Sequence, residues 1–131
     1  MINLKKEIGE VHMKKIAKGL LIRDDKVNEV EIVNIEMEGD SVGLANLVRL
    51  VDCDTIDAVY LKNNIDIFCD DEGLFKSGNL ARRLIVEDEI YEIVGNLLFL
   101  SHDEDGNTVG LDDSQMDYLK EITVQVFGVV K

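Results

Sequence analysis

The sequence predicts an α+β fold, a mostly antiparallel sheet of hairpins with two or three helices packed on one face. Three observations predict it. Short apolar segments with period-two alternation recur between turn signals, as in IAKGLLI and NEVEIVNIEMEGD. Lys62-Asn63-Asn64 separates two strand-like runs as a three-residue hairpin loop, in which an Asn tolerates positive φ. Leu44, Leu47, Val48 and Val51 recur at helical spacing behind Asp40 and Ser41, both candidate caps.

Taken in order, residues 1–15 (MINLKKEIGEVHMKK) are polar and weakly patterned, which predicts an N-terminal arm ahead of a single acidic domain at 16–131. Met13 begins MKKIAKGLLI like an ordinary protein start, so the first twelve residues are expected to precede the native initiator. Residues 16–22 read as a strand and 23–28 as a turn. The next strand alternates in two phases: Val30 and Ile32 inward, then Val33, Ile35 and Met37 inward. A slip of one residue predicts a β-bulge between Ile32 and Val33. With that bulge, Glu29, Glu31, Glu36 and Glu38 share one acidic outer face.

A helix follows and ends by Asp52, then strands at 55–61 and 65–69 whose far side carries Tyr60, Asp66 and Asp70. Residues 74–86 read as extended or irregular. Residues 87–94 read as a short helix, with acids in the first turn and Gly95 just past its end. An apolar strand at 96–102, a turn at 103–107 and a short returning strand at 108–111 come next. Asp112 or Asp113 caps a last helix bearing Met116, Leu119 and Ile122, beyond which ITVQVFGVV is rich in β-branched residues and becomes an extended tail.

At 131 residues and 46% hydrophobic, the chain can bury a sizeable core, necessarily aliphatic because aromatics are only 5%. Charge is the loudest feature: 14 basic against 27 acidic residues, net −13. Residues 1–26 hold seven Lys/Arg and four Asp/Glu, a balance of +3; residues 27–131 hold seven and 23, a balance of −16. Such a body repels phosphate, because affinity for nucleic acid comes largely from Lys and Arg displacing counterions. Direct nucleic-acid binding and adhesion to anionic lipid are both disfavoured. Basic or DNA-binding proteins are the natural partners. Cys53 and Cys69 match no metal or redox spacing and fit a reducing, cytoplasmic setting. No run reaches the roughly 18 apolar residues of a membrane span.

Three stretches resemble a known family. DDEGLFKSGNLARRL is similar to a passage of the form E-E-G-K-x-G-x-N-R, EIYEIVGNLLFLSHDEDGN to one of the form Y-D-I-I-x-G followed by V-G-x-D-x-x-G, and LDDSQMDYLKE to an ending D-E-Q-I-x-K-Y. The family comprises small bacterial, phage and plasmid proteins catalogued only as a domain of unknown function, common on mobile elements of Gram-positive bacteria. The resemblance covers residues 40–121 and implies an element-borne accessory gene. The family's adjacent Asn-Arg is opened here to Asn79-Leu80-Ala81-Arg82-Arg83, so its arginine corresponds to Arg82 or Arg83.

Reactive constellations are missing. There is no Gly-rich phosphate loop, Gly-x-Ser-x-Gly or His-Glu-x-x-His. Counted from Ser101, the acidic loop offers oxygens at positions 1, 3, 5 and 12 with Gly106 at position 6, close to a calcium-binding loop. Ser at position 1, Asp rather than Glu at position 12 and strand-like flanks argue instead for an acidic hairpin turn. His102 has only His12 as a companion histidine and reads as a strand-end residue. No cofactor, metal or catalytic residue is expected. Asn79, Arg82 and Arg83 form a candidate anion or ion-pair site, in which Arg82 and Arg83 grip a phosphate, neutralise Glu87 and Asp88, or satisfy buried carbonyls. Glu29, Glu31, Glu36, Glu38, Asp66 and Asp70 form the candidate interaction surface. The expectation is a protein-interaction module of a mobile element. The alternatives are a DNA mimic that blocks a nuclease, restriction or CRISPR system, and a small-ligand binder or enzyme.

Overall fold

A computed structural model describes residues 15–26 and 29–131. The predicted arm, and with it Met13 as the native start, lies outside the described residues. Among the described residues, nine strands and two α-helices follow in order: β1 (Ile16–Ile22), β2 (Glu31–Glu36), α1 (Leu44–Val51), β3 (Ile56–Tyr60), β4 (Ile65–Asp70), β5 (Leu80–Val86), β6 (Glu89–Val94), β7 (Leu97–His102), β8 (Thr108–Val109), α2 (Asp113–Leu119) and β9 (Thr123–Val129). They build two antiparallel sheets. The main sheet runs β2-β1-β7-β4-β3, with β8 on the far end of β7; the small sheet runs β6-β5-β9.

The expected α+β packing is overturned: the protein is β-rich, and its helices have only eight and seven residues. They also lie on opposite faces of the main sheet. Strand β7 shows why. Its run LLFLSH is apolar without alternation because both faces are covered. Leu98 and Leu100 pack with Leu47, Leu50 and Val51 of α1. Leu97 and Phe99 pack the other way, with Leu84, Val86 and Ile93 of the small sheet and Leu119 of α2. A second sheet does the work expected of helices.

The predicted helix at 87–94 is strand β6. Glu87 and Asp88 form the two-residue turn of a β5–β6 hairpin, with Val86 opposite Glu89 and Glu87 at φ 54°. Acids before the segment and Gly95 after it imitate helix caps, but Ile90, Tyr91, Ile93 and Val94 suit a strand. The passage at 74–86 contains the regular strand β5, and the tail beyond Glu121 is strand β9 paired to it. The helical stripe is also rotated from expectation: Leu47, Leu50 and Val51 are buried while Leu44 is exposed, and Gly43 rather than Asp40 or Ser41 precedes the helix.

The predicted bulge is absent. Pairing of β1 with β2 runs unbroken from Ile16 opposite Glu36 to Leu21 opposite Glu31. The register shift falls instead between β5 and β9, where Phe127 is the extra residue. Where β8 leads into α2, Gly110 lies on β1, and a Cβ there would stand 2.7 Å from the Lys18 amide nitrogen and 3.0 Å from Ala17 Cα. Only glycine lets the two backbones come this close.

Candidate functional site

The motif residues at 70–84 converge on a polar joint between the two sheets. Strand β5 alternates, so Arg82, Leu84 and Val86 point inward while Ala81, Arg83 and Ile85 point outward. Arg82 is fully buried. Its guanidinium donates from Nη1 to the Gly95 carbonyl (3.2 Å) and from Nη2 to the Arg23 carbonyl (2.9 Å). The Asp24 carboxylate stands 3.6 Å away and also accepts the Leu80 amide. Burial draws the Arg82 pKa down from its ordinary value and Asp24 opposes that shift. Asn79 donates to the Gly73 carbonyl (3.1 Å). Gly95 sits at φ +88°, with the Asn79 side-chain amide packed against it.

A polar cleft of about 650 Å³ opens over this joint, lined among others by Arg49, Asp52, Lys76, Asn79 and Asn96. The hydrogen bonds of its side chains run within the protein. Asn96 accepts the Asp24 amide and donates to the Val51 carbonyl. Arg49 bonds Asn46, and Lys76 pairs with Asp70. Of the expected anion site, Asn79 and Arg82 therefore come together as cross-links between backbone segments. Arg83 lies on the opposite face of the same strand, bonded to Glu92 (3.0 Å) and stacked over the Phe127 ring at 4.6 Å. Glu87 pairs with Lys62 rather than with either arginine.

The expected acidic surface is divided. With no bulge, Glu31 and Glu36 emerge on opposite faces of β2. Glu31 bonds Arg23 (2.9 Å), which holds its pKa below the ordinary carboxylate value, and it lies 3.7 Å from Lys26, which also faces Glu29 at 3.6 Å. Glu36 is exposed, and its carbonyl accepts from Asn46. Glu38 forms a bridge with Ser41, and its carboxylate crowds Gly43. Asp66 is only 3% exposed, and its two oxygens each lie 3.0 Å from Nδ1 of His102. Asp70 has a side chain only 5% exposed and is held by Lys76 and the Glu72 amide. Two of the six acids are thus interior.

The acid-glycine loop is a turn. The Asp103 carboxylate accepts the amides of Asp105 and Asn107 and the Asn107 side chain, bonds that hold its pKa low. Asp112 accepts the Gln115 amide (2.7 Å) while Gln115 accepts the Asp112 amide (3.0 Å), a reciprocal cap that starts α2. Ser101 is buried and takes a bond from Gln115. The Asp103 and Asp112 carboxylates therefore serve backbone amides of the turn and of the helix start. Burial, helped by Asp57, Asp70 and Asp71, pushes the Cys69 thiol up to about 11. Burial also raises Cys53. Neither is poised as a nucleophile.

Two apolar surfaces escaped the sequence reading. One is a groove of about 400 Å³ at the mouth of the sandwich, where Val30 and Ile32 face Met116, Ile122 and Val124 over Leu20. The other is the outer face of the small sheet, with Ile90, Val94 and Phe127 around the Arg83–Glu92 pair. The two-phase alternation at 29–37 was the available signal for the first: without a bulge, one of its two apolar sets must face away from the α1-side core. The Asp66–His102 pair had no local signal, because β4 and β7 bring the two residues together across 36 positions.

Fold and surfaces together define a β-rich, two-sheet protein in which Arg82, Asp24, Asp66 and Asp70 find partners within the chain. The chain belongs to the family described as Domain of unknown function (DUF3846), whose model matches residues 16–123. Comparisons with curated proteins and with solved structures return no match. Among the described residues, no helix is long and apolar enough to cross a membrane.

Proposed function

We propose that this protein is a non-enzymatic, protein-binding accessory protein of a mobile genetic element, acting in the cytoplasm. The carrying observation is the Val30/Ile32/Val124 groove. It is concave and apolar, and Val30 and Ile32 are 58% and 59% exposed although they adjoin the inter-sheet core. Large apolar side chains left in water beside a groove mark a docking surface. The excess of carboxylates over residues 27–131 favours a basic or DNA-binding partner and speeds its approach. Support for the mobile-element setting is the resemblance over residues 40–121. Glu31 and Glu36 emerge on opposite faces of β2, so residues 29–38 do not supply a row of carboxylates for DNA mimicry. We read the acidity as an attraction to a basic partner.

The test is affinity capture from host extract with the wild-type chain and Ile32→Asp, at low and high salt, read by mass spectrometry. A partner captured by wild type, lost with Ile32→Asp and weakened by salt supports the proposal. Capture indifferent to Ile32→Asp overturns the groove as the contact. Turnover of a small molecule that disappears with one substitution overturns the non-enzymatic role.

A further inference from the structure

We infer that the outer face of the small sheet is a two-fold interface that pairs this protein with a second copy of itself. Strand alternation and register place Ala81, Arg83 and Ile85 beside Val94, Glu92 and Ile90 on this face. Phe127 joins them, stacked on Arg83. Among the described residues no element covers the face: Ile90 is 61% exposed and Phe127 46%. Leu74, 71% exposed on the adjoining turn, extends the same apolar surface toward Val94 and Phe127.

Charge selects the occupant. The chain carries −13 overall, so two copies repel through almost any face. The outer face of β5 and β6 carries one cation, Arg83, and one anion, Glu92, 3.0 Å apart. It is locally neutral on a strongly negative molecule. It is also self-complementary, since a two-fold axis through it brings Arg83 of each copy toward Glu92 of the other. A strongly basic partner would find no excess of carboxylate at its centre. Size agrees as well. Three strands at about 4.8 Å spacing and six residues at about 3.3 Å give roughly 300 Å² of projected face. Side-chain relief and Leu74 carry it toward the roughly 500 Å² per partner that is the least a specific interface needs, below the roughly 800 Å² of a standard one, so the dimer is a weak one.

The sign of the salt effect separates this association from the binding of a basic protein. Screening weakens repulsion between two −13 bodies, so the dimer tightens as salt rises, whereas attraction to a basic partner loosens. The experiment is sedimentation equilibrium of the full chain across protein concentration at low and high salt, with Ile90→Glu, Arg83→Glu and the double variant Arg83→Glu/Glu92→Arg. Ile90 and Arg83 are surface residues, and circular dichroism confirms that each variant is folded. The expected result is a dimer favoured by salt, weakened about tenfold or more by either single change and recovered by the double. A monomer at every concentration and salt overturns the inference and leaves the face to another occupant. So does a dimer indifferent to both single changes.

Discussion

Arg82 and Arg83 are neighbours in sequence and opposites in the protein. Arg82 points between the sheets, fully buried, and binds the Gly95 and Arg23 carbonyls beside Asp24. Arg83 points outward, pairs with Glu92 and lies over Phe127. Residue type alone carries little meaning for a basic doublet. One guanidinium is a cross-link that closes the end of the interlayer space. The other is the centre of a face that no described element of its own chain covers. A strand assigns such roles by parity, because adjacent side chains leave opposite faces.

The largest effect is expected at the inner arginine. Arg82→Met removes the donors of two backbone carbonyls and leaves Asp24 without its buried cation. Breaking one member of a buried pair costs about 3–5 kcal/mol. Urea unfolding should show a loss of that order, and a loss as small as that of an exposed arginine would place Arg82 with Arg83. The second expectation concerns the same interior. Cys69 belongs to the core between the sheets, and its pKa is raised to about 11 by burial. A raised value means that the unfolded thiol ionises first, near its ordinary value of about 8.5. The stability this thiol lends is therefore present below that value and is lost as pH rises toward 11, on the order of 3 kcal/mol. Cys69→Ala should flatten that part of the alkaline limb; an unchanged slope refutes it. The smallest effect belongs to the outer arginine. Arg83→Ala gives up an exposed ion pair and a cation–π contact, together about 1 kcal/mol or less. Measured at concentrations where the chain is monomeric, a loss rivalling that of Arg82→Met would place Arg83 in the frame with Arg82.

Much of the fold was legible where local chemistry and tertiary structure agree. Strand β1, the β3–β4 hairpin around Asn63 and Asn64, and the Asp112 cap all fall where turn and cap signals place them. Segment 87–94 was illegible because its flanks carry helix-cap signals while its preference for a strand is realised only against Arg82, Leu84 and Val86 on β5. The acidic row failed on one residue of register. A pattern with two phases can be met by a bulge or by leaving apolar side chains in water, and β2 takes the second course. Of the candidate acids, Asp66 and Asp70 reverse from surface to interior because His102, 36 positions away on β7, and Lys76, at the end of the turn that follows β4, supply partners for them.

Taken alone, the chain dictates its negative field, its aliphatic core, the turns that divide its strands and the lack of a recognisable reactive motif, since each depends on composition or on residues a few positions apart. Which strands pair, which face each residue takes and which apolar groups stay in water depend on contacts between segments dozens of residues apart. Tertiary packing decides those matters, because burial and register are properties of two strands together.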